Sequence, residues 1–443
     1  MDPLAEHRGR CERLVAAFKA ARVAGAAGTH IALAKSTSNL FRRRDRRDTT
    51  RIDVRGFDHV LKVDPESMMA EVEGMTTYEA FVDATLRHGL LPTVAPQLRT
   101  ITAGGAVSGV GIESSSFRYG LVHETVEEME ILTGNGRTVV CSRHQNPELF
   151  YGFPNSYGTL GYALRLRIRL IPARRYVHLT HEAHSEPSAY FARIADFARR
   201  AEVDYLDGTI FGRDRMYITT GEFADEAPRV SDYTYMGIYY RSIREKREDW
   251  LRARDYIWRW DTDWFWCSKH FGVQNPVVRL LATPWALNSR TYQRIMRLAG
   301  RVLPDSRRAE SVIQDVDIPL EKAPEFFDFL MAEIGIAPVW VCPFRALDPS
   351  VTYPLFALNP DKLYINFGFW DMIPTTHEDG FFNRKVEEKA IALGGRKGLY
   401  STAWYDEETF WKLHDRERYE ELKARYDPGG VFRDLYAKCV GRK

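Results

Sequence analysis

Four glycines fall within eight residues at Gly104, Gly105, Gly109 and Gly111, inside the stretch 102–120 (TAGGAVSGVGIESSSFRYG). Glycine this dense disfavours a long regular helix or strand, because each one adds backbone entropy that folding must remove. Small residues surround them, among them Ser108, Ser114, Ser115 and Ser116. Such a segment lets the backbone approach a ligand closely and turn N–H groups toward an anion; the same composition also suits a tight structural loop. Residues 109–114 (GVGIES) half-imitate the dinucleotide-binding fingerprint. They lack its third glycine, and no strand-to-helix unit with an acidic residue about 20 positions later accompanies them. A second small-polar loop, Lys35-Ser36-Thr37-Ser38-Asn39, follows the apolar residues 31–34. Its hydroxyls and lysine suit a pyrophosphate and equally a capped turn. No Walker A sequence is present.

With 443 residues the chain points to two or three domains, and its 44% hydrophobic content supports a sizeable core. A net charge of +2 gives no global attraction to nucleic acid. The cysteines at 11, 141, 267, 342 and 439 are scattered, without a CxxC pair or a nearby histidine cluster. That spacing argues against a metal site or a disulfide framework and suits a reducing compartment. The first 14 residues are charged and lack the apolar centre of a signal peptide, and no run of about 18 apolar residues occurs. The expectation is a soluble, cytoplasmic protein, at most peripheral at the inner face of a membrane.

Periodicity organises the rest. Residues 59–72 give two strands around an Asp64-Pro65-Glu66-Ser67 turn, and Thr76 or Thr77 caps a helix running to Gly89 with Phe81, Val82 and Leu86 inward. Residues 129–140 form a hairpin turning at 133–136. Along 162–171, Tyr162, Leu164, Leu166, Ile168 and Leu170 alternate with Arg165, Arg167 and Arg169, a strand period of two ended by Pro172. After about 174 the texture changes: helices are predicted over 187–200 and 321–333, and strands over 311–318, 339–342 and 362–369. The last 50 residues read as helical and close on Asp427-Pro428 and Phe432.

The two loops, in this order and spacing, resemble the FAD-binding domain of the vanillyl-alcohol oxidase (PCMH-type) superfamily. Gly158-Thr159-Leu160-Gly161 with the arginine-striped strand is similar to its adenine-side segment, and Asp427-Pro428 with Phe432 to its C-terminal signature. Residues 111–116 (GIESSS), 119–121 (YGL), Gln314-Asp315, 339–344 (VWVCPF) and 408–411 (ETFW) resemble the sterol Δ24-reductase (Diminuto/Seladin) branch. Residues 33–41 and 96–102 look more like an actinobacterial enzyme that reduces the 10-methylene group of a fatty acyl chain to a methyl branch, forming tuberculostearic-type lipids.

The resemblance implies an α+β fold: a two-subdomain PCMH-type FAD-binding domain (1–173), an α/β cap for substrate (174–390), and a C-terminal segment (391–443) returning to the flavin domain. FAD would be held by Lys35, Ser36, Thr37, Ser38 and Asn39, by Thr102, Gly104, Gly105, Ser108, Gly109, Gly111, Ile112, Glu113 and Ser114, and by Gly158 and Gly161. The first loop has no histidine, so non-covalent FAD is expected; His123 lies beyond the glycine motif and reads as structural. NADPH is the implied electron donor, a lipid or phospholipid acyl chain the implied substrate, and a methylene-forming methyltransferase an implied functional partner.

Reduction of such an alkene needs an acid, a dry apolar slot and stabilisation of positive charge. Tyr400, Asp315 and Glu113 are the candidate acids, with Asn366 and His270 behind them, and each has an ordinary alternative such as an Asp315–Arg345 ion pair or a core role for Tyr400. Residues 241–271 carry Arg241, Arg244, Lys246, Arg247, Arg252, Arg254 and Arg259 beside Trp250, Trp258, Trp260, Trp264, Phe265 and Trp266. They read either as a solvated basic helix followed by aromatic core, or as an interfacial segment touching anionic lipid. Two other classes remain open at this stage: an oxygen-using alcohol or lactone oxidase, and a non-catalytic flavin-binding subunit.

Overall fold

The computed structural model describes residues 2–24, 29–38, 40–42, 49–200, 202–302 and 309–440. Its first half is built on a six-stranded antiparallel sheet whose centre is the arginine-striped strand, Tyr162–Pro172. That strand pairs with Met69–Glu73 on one side and Val126–Leu132 on the other, while its end takes Leu90–Pro92. Val60–Asp64 and Thr138–Ser142 form the edges. The alternation predicted for 162–171 holds: Leu164, Leu166, Ile168 and Leu170 are buried, although Tyr162 is only half-buried.

Two of the three arginines on the opposite face are held by carboxylates across the strands, and Arg167 is exposed. Arg165 bonds Glu71 at 2.7 Å and Glu128 at 2.6 Å, and Arg169 pairs with Glu127 at 3.2 Å. The long helix Pro3–Ala24 meets Glu73 and Glu130 of this sheet. His7 bridges Glu73 (2.7 Å) and Glu130 (3.2 Å), with Cys11 Sγ 3.3 Å from the same ring. One helical turn thus brings a single histidine, His7, to Cys11. These contacts push the imidazole up to about 11 against the opposing effect of its burial, so it serves as a buried cation between two carboxylates.

The predicted helix after Thr77 spans Tyr78–Leu86; Thr77 Oγ1 accepts from the Ala80 N–H, and Phe81 and Val82 are buried while Leu86 is half-exposed. At Tyr176 the chain enters a second, eight-stranded antiparallel sheet, in the order Glu248–Arg252, Tyr176–His184, Arg215–Ala224, Tyr205–Gly212, Val339–Phe344, Tyr364–Pro374, Ala309–Pro319, Arg396–Lys397. The helix Pro187–Arg200, with the bounds expected, packs Phe191 onto Phe327 and Phe367. The 321–333 segment is less regular than its periodicity implies, with a short 3-10 turn, the helix Ala323–Phe329 and a π-turn ending at Gly335.

Residues 241–271 are the main correction. They contain no long helix: a strand (Glu248–Arg252) and a one-turn helix (Ala253–Ile257) precede a 3-10 turn (Cys267–Phe271). Trp258, Trp260 and Trp266 are fully buried, so they are unavailable to a membrane. The aromatic-core reading holds; the interfacial reading of this segment does not.

The C-terminal end closes the fold. Asp427 is buried and accepts from the Val431 N–H (2.8 Å), the Phe432 N–H (2.9 Å) and Lys423 Nζ (2.6 Å). The turn so formed presents the Val431 carbonyl to the Ile31 N–H at 2.9 Å and buries Phe432 against Phe18 and Tyr162. Replacing Asp427 by Ala leaves two amides without their acceptor and takes the carboxylate from Lys423, which keeps its bonds to the Thr159 and Phe432 carbonyls. The expected cost is about 3 kcal/mol, read as a lower urea midpoint with unchanged slope.

Candidate active site

Thr102 ends its extended stretch by accepting the Gly105 N–H (3.2 Å), which starts the short helix Ala103–Ser108. Gly104 lies against the backbone of Gly74: its N–H donates to the Gly74 carbonyl at 2.9 Å, and a Cβ would sit 2.8 Å from that oxygen. The amides of Ala103, Gly104, Gly105, Ala106 and Gly111 all donate inside the protein. At these positions the glycines therefore serve close backbone packing and an open wall, and the expected anion-directed amides are not among them.

That wall borders a cavity of about 570 Å³. Lys35, Thr37 and Ser38 line it from the first loop; Thr102, Gly104, Gly105, Ser108, Gly109, Gly111 and Ile112 from the second; Gly158 and Gly161 from the third. Ser36 is exposed and points elsewhere, and Asn39 lies outside the described residues. Facing these segments are Trp264, Phe265, Trp340 and Trp370, with Asp315 and Tyr400.

Positive charge gathers at the glycine side. Lys438 Nζ donates to the Gly158 carbonyl at 3.2 Å, and Arg42 lies 4.7 Å over the ring of the cavity-lining Tyr157. Burial lowers Lys438 to about 7, and the charges of Arg42, Lys35 and Lys423 push it the same way. Lys35 lines the cavity while Arg42 and Lys438 stand behind its Tyr157 and Gly158, and burying like charges together is costly unless an anion joins them. The pyrophosphate of a dinucleotide meets that need, so these residues fit FAD. Nothing local marked Arg42 or Lys438 in the sequence; they lie far from the glycine motif and reach it only through the fold.

Two of the three candidate acids come together. Asp315 on Ala309–Pro319 accepts a hydrogen bond from Tyr400, and burial pushes its carboxyl up to about 6. Tyr400 is itself driven well above its ordinary value by burial and by the charge of Asp315. Opposite Asp315 in the sheet stands Gly368, where a Cβ would lie 2.6 Å from Asp315 Oδ1. Glycine there makes room for the carboxyl. The imagined pairing of Asp315 with Arg345 does not occur, because Arg345 is exposed and Asp315 faces Tyr400. Asn366 donates to Asp317 at 2.8 Å, behind the cavity lining, whereas His270 lines the cavity and lies 3.3 Å from Asp371. His123 is buried edge-on against Tyr353.

Glu113 is elsewhere. Its Oε1 accepts from Gln97 (3.0 Å) and the Ser114 N–H (2.7 Å), and lies 3.4 Å from Arg259 Nη2. Arg259 is 2.7 Å from Asp207, which also accepts from Trp340 Nε1 at 3.2 Å. Ser114 joins this network through Tyr256 at 2.9 Å. Glu113 and Ser114 are thus removed from the acid and cofactor-contact roles expected of them. They hold the glycine motif to the eight-stranded sheet, and through Gln97 and Trp340, both cavity-lining, they brace the cavity walls. Burial raises both carboxyls, while the shared guanidinium opposes that rise.

Residues 14–142 match the family described as FAD binding domain. The chain is 28% identical over 396 residues to Delta(24)-sterol reductase of Homo sapiens, covering 86% of this chain and 75% of that protein. It is 24% identical over 434 residues to the Arabidopsis thaliana protein of the same name, covering 88% and 77%. A shorter likeness, 30% over 156 residues, links it to cytokinin dehydrogenase 10 of Oryza sativa, covering 34% and 28%. The glycine wall, the cationic cluster and the matched domain define an FAD-dependent oxidoreductase of the PCMH type. Within that class, its likeness over most of the chain is to proteins named Delta(24)-sterol reductase.

Two outcomes are expected of the site. Arg259→Leu strands two buried carboxylates and should cost about 3–5 kcal/mol in denaturant unfolding, with loosened flavin binding. Lys438→Met removes a cation beside Gly158 and should weaken FAD by about tenfold, measured by flavin-fluorescence titration of the apoprotein.

Proposed function

We propose that this protein reduces a carbon–carbon double bond in a lipid, with FAD as its cofactor and NADPH as the electron donor. One observation carries the reading: the Asp315–Tyr400 pair stands on the wall of the same cavity that the flavin loops line, among four aromatic side chains. Bound and reduced FAD supplies a hydride. The chain must provide the rest. A carboxyl near pKa 6 holds a proton at moderate pH and releases it readily, which suits Asp315 as the acid that protonates the less substituted alkene carbon. Tyr400, driven far higher, orients Asp315 and stabilises the carboxylate left behind. The π-faces of Trp264, Phe265, Trp340 and Trp370 exclude water and favour the positive charge that develops at the tertiary carbon.

Two substrates share this chemistry. The relatives named Delta(24)-sterol reductase support a sterol-type trisubstituted alkene. The resemblance of residues 33–41 and 96–102 to an actinobacterial enzyme is the support for the other, the 10-methylene group of a phospholipid-bound acyl chain made by a methylene-forming methyltransferase. Anaerobic NADPH should bleach the flavin, and one of these alkenes should reoxidise it; desmosterol and a 10-methylene acyl lipid are tested side by side. Peroxide production from a polyol or phenol, with neither alkene turned over, would make the protein an oxidase. Binding of FAD with no turnover at all would make it a non-catalytic subunit.

The acid can be checked by pH. Burial raises Asp315, so the protonated form needed for catalysis falls away as pH rises through about 6. kcat/KM for the alkene should fall with it. Asp315→Asn should lower the rate by about 100-fold or more with the flavin spectrum retained. Tyr400 donates to the carboxylate and holds its pKa down, so Tyr400→Phe should move the limb to higher pH. An unmoved limb in that variant would remove the pair from the mechanism.

A further inference from the structure

The short helix Pro276–Leu281 is turned inside out. Its one charged residue, Arg279, is buried, bonded to both oxygens of Asp263 (2.8 and 3.0 Å) and to the carbonyls of Tyr235 (2.5 Å) and Gly237 (3.2 Å). Its apolar side chains face solvent: Val277 is 66% exposed, Leu280 65% and Leu281 80%, and Trp285 just beyond is 79% exposed. An ordinary surface helix does the reverse. The anchored arginine fixes this orientation, so the exposure is built into the fold. Contiguous apolar surface of this kind marks an interaction site.

Charge narrows what binds there. From 264 to 302 the sequence contains no Asp or Glu, yet it carries Lys269 and five arginines. Arg294 is exposed, as is Arg290, which reaches Glu79 only at 3.6 Å. The helix Ser289–Val302, on which these arginines lie, packs Tyr292 against Phe271 and Trp264, both of which line the cavity. Met372, 52% exposed, lines the cavity as well. The apolar segment thus runs directly into a helix that borders the cavity through Tyr292 and exposes Arg290 and Arg294.

We infer that this face, residues 276–295, docks on an anionic lipid surface and places the cavity against the bilayer. Leu280, Leu281 and Trp285 enter the acyl boundary while Arg290 and Arg294 meet phosphate head groups. A second copy of the chain is disfavoured, because a two-fold contact through this face would set arginines against arginines. The inference gives the lipid substrate of the proposed function a route to the cavity and rests on that reading.

Flotation of the FAD-loaded protein with phosphatidylcholine vesicles, with and without phosphatidylglycerol, tests it without any turnover. Binding should need phosphatidylglycerol and weaken at high salt. Leu280→Glu/Leu281→Glu/Trp285→Glu should lower partitioning by about tenfold or more, and Arg290→Glu/Arg294→Glu should lower it as well. Both should keep the flavin spectrum and melting temperature; if the triple variant unfolds, Leu281→Ser/Trp285→Ala replaces it. The variants should lose turnover of vesicle-borne substrate and keep turnover of detergent-dispersed substrate. Absent flotation, or flotation unchanged in both variants, overturns the inference whatever the enzyme reduces. So does light scattering that shows a dimer dissociated by the triple substitution. Vesicle binding with no alkene turnover would overturn the function and leave the docking face standing.

Discussion

The molecule depends on one buried cation. Arg259 lies between Glu113 of the glycine motif and Asp207 of the eight-stranded sheet, with Tyr256 stacked 4.0 Å beneath its guanidinium. Taking three charges out of water is expensive, and it is tolerated only when geometry and further hydrogen bonds are good. Gln97, Ser114 and Trp340 supply those bonds. The reward is positional: the flavin loop and the cap strand cannot slide past each other without breaking the cluster. Because Gln97 and Trp340 also line the cavity, its width is set by the same network.

The cavity needs that rigidity because its parts come from distant places in the chain. The first loop follows a strand whose N–H meets the C-terminal turn held by Asp427. Tyr400 accepts the Phe41 N–H through its own carbonyl (2.9 Å) while its side chain reaches Asp315. A single strand register, with Gly368 opposite Asp315, decides that the carboxyl has space. Acid, cofactor loops and aromatic wall are therefore assembled by long-range pairing.

Local patterns were legible wherever the physics is local. The alternation at 162–171, the cap at Thr77 and the helix at 187–200 appear where a period or a cap demands them. The three loops meet at one cavity as their resemblance implied, apart from Ser36, Glu113 and Ser114, with Asn39 outside the described residues. Glu113 was misread because a carboxylate inside a glycine motif looks like chemistry, and only the partner from 146 residues away shows it to be a brace. Residues 241–271 were ambiguous for a related reason: composition cannot say whether a tryptophan faces lipid or core. The lipid-facing candidate at 277–285 escaped notice because its apolar residues look like ordinary core until Arg279 is seen to take the inside.

By itself the sequence determined the strand and helix periods, which rest on residue types at short spacing, while its resemblance to FAD-binding reductases marked the cofactor loops. Tertiary structure decided which acid faces the cavity, how cations from both ends of the chain meet at its wall, and which apolar residues stay in solvent. Burial and charge pairing are properties of neighbours, and the neighbours here are brought together by sheet register and by one arginine shared between the glycine motif and the eight-stranded sheet.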